Sequence, residues 1–355
     1  MIPLIKPLFP SQDSIGSWFS GCYSSGIWSN FGEIHDRATA AVKKITGGFP
    51  VLVSSGMKAI QVALEVIGVD ENIAVPDYSH AGSLLPIVHS NRFPIIVACD
   101  PQTRAIDLDT FELLCSGGDI DGAVIVNPFG RGIDRRAYSD IARNYGVQIV
   151  YDYAGAWEDF RFDDEFPTVY SLHATKSMPI GEGGIIVFQN ELDAANAKRF
   201  INFGTGPDRL IHQLGFNAKL SEISAAVLCA QLEWPHYEKV INRIFHRSEL
   251  QRIYSAVLEG KPYEYNGMFS LSLCTVCLPG VDIDLLEKKA AELGFTAKQY
   301  YIPLRSMPAF FNEYQMIGDF HDDLDHCLGL PSDVSIEEAQ GIADSLRSIA
   351  EDLRT

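Results

Sequence analysis

Lys176 stands inside the run VYSLHATKSMPIGEGG (Val169 to Gly184), five residues after the hydroxyl of Ser171 and just ahead of a glycine-rich turn. A lysine so placed is either a solvated surface amine, the usual state of this residue type, or a nucleophile. Its setting raises the second reading: a hydroxyl precedes it, His173 to Thr175 lead into it, and a G-E-G-G tail lets backbone approach a ligand closely. A lysine near a cationic ring and partly desolvated loses its proton more readily, which makes an imine-forming amine. Asp152 follows the apolar run VQIVY. A carboxylate there either caps a turn or meets a cationic partner. In VSSGMKAIQVAL the chain passes from a strand pattern through Ser54, Ser55 and Gly56 into a helix pattern. Free amides at such a start can cradle a phosphate, although Ser-Ser-Gly is also ordinary turn chemistry. In PDYSHAGS, Tyr78 and His80 offer flat side chains that could lie on a ring or simply pack.

An imine-forming lysine, a phosphate turn and a lone carboxylate suit pyridoxal phosphate. The carboxylate would pair with the pyridine nitrogen, keep it protonated and make the ring a better electron sink. No G-K-[ST] follows the turn and no G-x-G-x-x-G occurs there, which removes Walker and dinucleotide readings. The histidines, His173 and His212 among them, lack metal-ligand spacing, so no metal is expected.

The elements that must position these residues are legible as a rhythm between residues 51 and 189. Short apolar runs (VLVSS, IAVPD, PIIVACD, GAVIVNPFG, VQIVYDYA, TVYSLHA, GGIIVFQ) alternate with helix-length stretches, the pattern of βαβ units. Runs that are apolar throughout fit strands covered on both faces. In such sheets the ligand crevice lies beyond the carboxyl ends of the strands, where Ser54, Ser55, Asp77, Asn127, Asp152 and His173 stand. GMKAIQVALEVIG reads as an amphipathic helix, as does DRRAYSDIARNYG, closed by Gly146. After about residue 220 a long helical stretch broken at Pro235 leads to the strand FSLSLCTVCL, the helix DIDLLEKKAAELG and a last helix opened by the capping box Ser335-x-x-Glu338. This predicts three units: an arm over 1–30, a large α/β domain over 31–235 and a smaller α+β domain over 236–355.

With 355 residues, 46% of them hydrophobic, the chain can bury a large core. A net charge of −18 argues against nucleic acid and anionic membranes as partners. The odd number of cysteines, seven, mostly in apolar runs, suits buried reduced thiols, and Cys274 with Cys277 reads as plain strand residues. The N-terminal MIPLIKPLFP shows no apolar run long enough for a signal or a span, so a cytoplasmic location is expected.

In order along the chain, these motifs resemble fold-type I pyridoxal-phosphate enzymes of the aspartate aminotransferase kind, and more closely the DegT/DnrJ/EryC1/StrS family of sugar aminotransferases. SSGIWSNFG is similar to the family's opening, QYYIPL to its R-x-Y-Y-x-P-L segment and LGLPSDVSIEEA to its L-P segment. The resemblance implies a mostly parallel seven-stranded sheet flanked by helices, a bound pyridoxal 5'-phosphate and a homodimer with shared sites. It places phosphate binding on Ser55, Gly56, Met57 and Ser171, ring stacking on His80, the pyridine partner at Asp152 and the covalent link at Lys176. Met57 stands where the family has threonine. Gly155 stands where it has a Gln or His that supports the cofactor's ring oxygen. Asn217 in LGFNAKLSEISAA would reach the partner's phosphate, and Lys219, His173 and Tyr301 would face substrate. The implied reaction takes an amino group from glutamate to a nucleotide-linked 3-keto or 4-keto deoxysugar, as in building cell-surface polysaccharide. A cyclitol or other ketone, or a non-catalytic cofactor-binding homologue, is the alternative.

Overall fold

The computed structural model describes residues 1–157, 165–261, 271–310 and 313–354. The strands are β1 (Phe49–Val53), β2 (Asn72–Pro76), β3 (Phe93–Val97), β4 (Gly122–Val126), β5 (Gln148–Asp152), β6 (Thr168–Ser171), β7 (Gly184–Phe188), β8 (Cys274–Cys277), β9 (Lys298–Gln299), β10 (Gln315–Ile317) and β11 (Cys327–Leu330). The helices are α1 (Gln12–Ser25), α2 (Glu33–Thr46), α3 (Gly56–Val66), α4 (Ala81–His89), α5 (Leu108–Gly117), α6 (Arg135–Tyr145), α7 (Glu191–Phe200), α8 (Glu222–Leu232), α9 (His236–Tyr254), α10 (Ile283–Glu292) and α11 (Ile336–Leu353).

All seven apolar runs of the sequence are strands of one sheet, ordered β1-β7-β6-β5-β4-β2-β3-β10. Its centre is parallel, and β7 runs antiparallel to both neighbours. Alternate residues of a strand face opposite sides: Ile95, Ile125 and Ile149 join one buried cluster, whereas Ile96, Val124 and Val150 join another. Burial of each such side chain contributes about 1.5–3 kcal/mol. This double cover is why the runs are apolar throughout instead of alternating.

The expected seven strands gain an eighth. β10 arrives from the C-terminal part of the chain and pairs in parallel with β3. The expected arm also contains α1, capped by the Ser11 side chain and stopped by Gly26 in the left-handed region. Past α9, a second sheet, β8-β11-β9, packs with α10 and α11 around its own cluster. Of the strand expected from Phe269 onward, Phe269 and Ser270 lie outside the described residues. The Ser335–Glu338 capping box and the Gly146 stop are both present. No helix among the described residues is long and apolar enough to cross a membrane.

The thiol expectation needs correction. Cys277 of β8 and Cys327 of β11 are joined as a disulfide, while Cys22, Cys99, Cys115, Cys229 and Cys274 are free and buried. Cys274 and Cys277, three apart on one strand, project to opposite faces and cannot meet. The antiparallel register instead sets Cys277 directly against Cys327.

Candidate functional site

The sheet register brings the chemistry-bearing residues to one edge. Gly184 at the start of β7 lies between Val53, at the end of β1, and Ser171, at the end of β6. Beyond Val53 the chain turns through Ser54 and Ser55 into α3. The Ser55 side chain caps that helix by accepting from the Lys58 N–H at 3.2 Å. Among the described residues the N–H groups of Gly56 and Met57 find no acceptor. Close approach requires Gly56: a Cβ there would sit 2.9 Å from the Ser171 Cβ and 3.2 Å from its Oγ. Two unbonded amides at a helix start beside a serine hydroxyl form the donor set of a phosphate site.

Past β6 the chain folds back on itself. Leu172 and Gly183 are hydrogen-bonded, as are Ala174 and Gly181, and the Lys176 N–H closes the turn on the His173 carbonyl. Lys176 is half-buried and its amine makes no hydrogen bond among the described residues. Burial pushes its pKa down, and the Asp152 carboxylate pulls it the other way. Asp152, 4% exposed at the end of β5, accepts from Ser83 Oγ at 2.7 Å and from the Ala154 N–H at 2.9 Å. His80 is the N-cap of α4, its Nδ1 accepting from the Gly82 N–H at 3.0 Å. Its pKa is lowered by burial and by the Lys176 charge, with Asp152 opposing. The charges of Lys176 and Asp152 therefore act on one another and on the His80 ring.

Tyr301 forms the opposite wall. It stacks on Phe129 with centroids 4.4 Å apart and lies 6.2 Å from the His80 ring. Burial and the Asp152 charge raise its pKa well above the usual phenol value. The segment carrying it is fastened to the end of β2. Tyr78, fully buried, donates its hydroxyl to the Tyr300 carbonyl, and Asp77 accepts from the Arg305 N–H at 2.8 Å and from its guanidinium. Arg305 also holds Asp325 at 2.7 Å. Asp77 is thus a latch between segments, and Tyr78 is a core residue.

Gly155 has a physical reason to lack a side chain. A Cβ there would fall 2.7 Å from the Phe129 Cα and 2.8 Å from its N, and Phe129 itself sits at φ 56°. No side chain at 155 could enter that space. The remaining expected residues lie at the rim. His173 contacts Thr175 Oγ1 at 2.9 Å and approaches Glu182 at 3.6 Å. Lys219 bridges Val53 through its backbone, and its amine donates to Asn202 Oδ1 at 2.8 Å. Asn217 is exposed, and its backbone pairs with Asn202; among the described residues no side-chain hydrogen bond links it to Lys176 or Asp152. The residues that the sequence reading missed are Ser83, Phe129 and Arg305. Each acts through a contact distant in sequence, and only the lone polar residue in the apolar stretch AGSLLPIV gave any sign of Ser83.

The donor set fits pyridoxal phosphate: a cradle that a Cβ would fill, a buried oriented carboxylate, a flat imidazole and a desolvated amine. Comparisons with known proteins point the same way. Protein Rv3402c of Mycobacterium tuberculosis is 25% identical, over 87% of this chain and 79% of its own length. The dTDP-4-amino-4,6-dideoxy-D-glucose transaminase of Shigella dysenteriae is 29% identical, over 64% of this chain and 65% of its own. Among solved structures, a DegT DnrJ EryC1 StrS aminotransferase from Brucella abortus superposes with a TM-score of 0.82 at 19% identity, covering 96% of each chain. The sequence profile of the family spans residues 15–347, taking in every residue of the crevice described above. This chain therefore belongs to the DegT/DnrJ/EryC1/StrS aminotransferase family, enzymes that depend on pyridoxal 5'-phosphate.

Proposed function

We propose that the chain, as a cytoplasmic homodimer, transfers an amino group from glutamate to a nucleotide-linked keto-deoxysugar in amino-sugar biosynthesis. The observation that carries this reading is the grouping of Lys176, half-buried and with an amine that has no hydrogen-bond partner among the described residues, with Asp152 and His80 beside two unbonded helix amides. The substrate class is supported by the Shigella dysenteriae relative, whose name is that of a dTDP-sugar transaminase.

Bound pyridoxal phosphate supplies an aldehyde for the ε-amine and a protonated ring that draws electrons from the reacting carbon. The amides of Gly56 and Met57 and the Ser171 hydroxyl would hold the phosphate, with Ser55 shaping the turn. Asp152 would pair with the ring nitrogen and His80 would pack on the ring. Lys176 Nζ would be the base that takes the proton from the α-carbon of glutamate and the acid that returns it to the cofactor's former aldehyde carbon. Burial, which pushes this amine toward its neutral form, would leave it able to accept that proton. Tyr301, His173 and Lys219 line the substrate side. Asn217 is left to reach the phosphate of a second copy of the chain. The nearby apolar residues Leu210, Ile211 and Leu214 are 62, 67 and 90% exposed, which supports a partner covering them.

Treatment with borohydride after incubation with the cofactor should add its mass to the peptide bearing Lys176; a peptide unchanged in mass refutes the site. Amino transfer from glutamate should then be found with a 3-keto or 4-keto nucleotide sugar. Reaction with a cyclitol ketone alone refutes the substrate class.

A further inference from the structure

We infer that Ser83 is a positioning residue for Asp152, an inference that rests on reading Asp152 as the partner of the cofactor's ring nitrogen. Ser83 is 2% exposed and its hydroxyl donates to Asp152 Oδ2 at 2.7 Å. The other carboxylate oxygen, Oδ1, accepts from the Ala154 N–H at 2.9 Å. One donor on each oxygen fixes the plane of the carboxylate about its last torsion, so the side chain meets the crevice in one orientation. Hydrogen bonds to an ionised acceptor are the stronger kind, and removing one strands a buried charge.

Ser83 also belongs to the same turn as the ring-facing imidazole. Its N–H donates to the His80 carbonyl at 2.9 Å, and the Gly82 N–H donates to His80 Nδ1 at 3.0 Å. With Nδ1 accepting, a neutral His80 carries its proton on Nε2. The first turn of α4 thus fixes two groups at once: the imidazole through its cap and the carboxylate through Ser83. Among the described residues, the hydroxyl in the otherwise apolar stretch AGSLLPIV has no side-chain partner other than Asp152.

The test compares the holoenzyme with Ser83→Ala, Ser83→Cys and Ser83→Thr. Ser83→Ala should keep the borohydride-fixed cofactor at Lys176, lose about tenfold in kcat and leave KM for glutamate near its original value. The alkaline limb of its pH profile should move to lower pH, because a poorly aimed carboxylate holds the ring proton less well. In the ¹⁵N spectrum of ring-labelled cofactor at neutral pH, the resonance should move toward the unprotonated position. Ser83→Cys, close in size with a weak donor, should show the same changes in smaller measure without opening a cavity, and Ser83→Thr should restore all of them. Unchanged kcat, pH profile and ¹⁵N shift in Ser83→Ala and Ser83→Cys would overturn the inference. So would a loss that Ser83→Thr fails to restore. If the unsubstituted protein is itself not fixed at Lys176, the proposed function falls, and this control separates that failure from a failure of Ser83.

Discussion

Asp333 and Lys176 are both ionisable groups drawn away from water, and the chain surrounds them in opposite ways. Asp333 accepts from the Lys6 N–H at 2.8 Å, from Arg243 at 2.7 and 2.6 Å and from Arg247 at 3.1 and 3.0 Å. These donors overcome burial and hold its carboxyl down to about 2. The Lys176 amine has no hydrogen-bond partner among the described residues, and burial pushes it toward the neutral form. The first arrangement makes a charge permanent, tying the N-terminal segment and α9 to the strand end after β11. The second leaves a charge free to change, which an amine that forms and breaks covalent bonds requires.

The largest expected effect tests the second arrangement. Lys176→Arg keeps a cation but cannot form the link or release its proton. Amino transfer should fall by at least about 10⁴-fold. The melting temperature of the cofactor-free protein should hold or rise, because an unpartnered desolvated amine does not stabilise the fold. Near-normal turnover would overturn the site, and a large loss of stability would break the contrast with Asp333.

The next effect tests the first arrangement. Asp333→Asn leaves Arg247, 0% exposed, beside a neutral group. Denaturant unfolding should show a loss of about 3–5 kcal/mol, with turnover per folded molecule unchanged. The pH dependence has a fixed sign. The folded carboxyl sits near 2, below its ordinary 3.8, so its stabilisation is complete above about 4 and is lost as pH falls toward 2. That part amounts to about 2 kcal/mol. The unfolding free energies of the original protein and Asp333→Asn should therefore draw closer by about 2 kcal/mol as the pH falls to 2; parallel curves from pH 6 to 2 would remove the ion cluster as the cause.

What was legible in the sequence follows the same division between local and distant causes. β1 to β7 were visible because a strand covered on both faces must be apolar along its own length. Lys176, Asp152 and the Ser55–Gly56 turn were visible because each stands where such a run ends. β10 was not: its three residues form an edge strand only because β3 offers a parallel partner. Nor was the Cys277–Cys327 pair, which depends on a register across 50 residues. Gly155 was visible as a departure from the family pattern, but its cause lies in the backbone of Phe129 on the neighbouring strand's exit. Ser83 was hidden because its reason is a carboxylate on a different strand.

The smallest expected effect asks whether burial, and not the pairing of opposite charges, separates the two regions. Arg347 and Asp344 on α11 form an ion pair at 3.0 Å, with the same groups and nearly the same distance as Arg247 and Asp333. Their side chains are 52 and 49% exposed, however, and water already solvates both. The attraction is weakened by the solvent dielectric, screened by salt and offset by the entropy of holding two long side chains in place. Arg347→Gln should change the unfolding free energy by less than about 0.5 kcal/mol, with no difference between low and high salt beyond the scatter of replicate denaturant curves. A loss approaching that of Asp333→Asn would mean that geometry alone sets the strength of these pairs. The account of Lys176 as a group kept changeable by desolvation would then lose its physical basis.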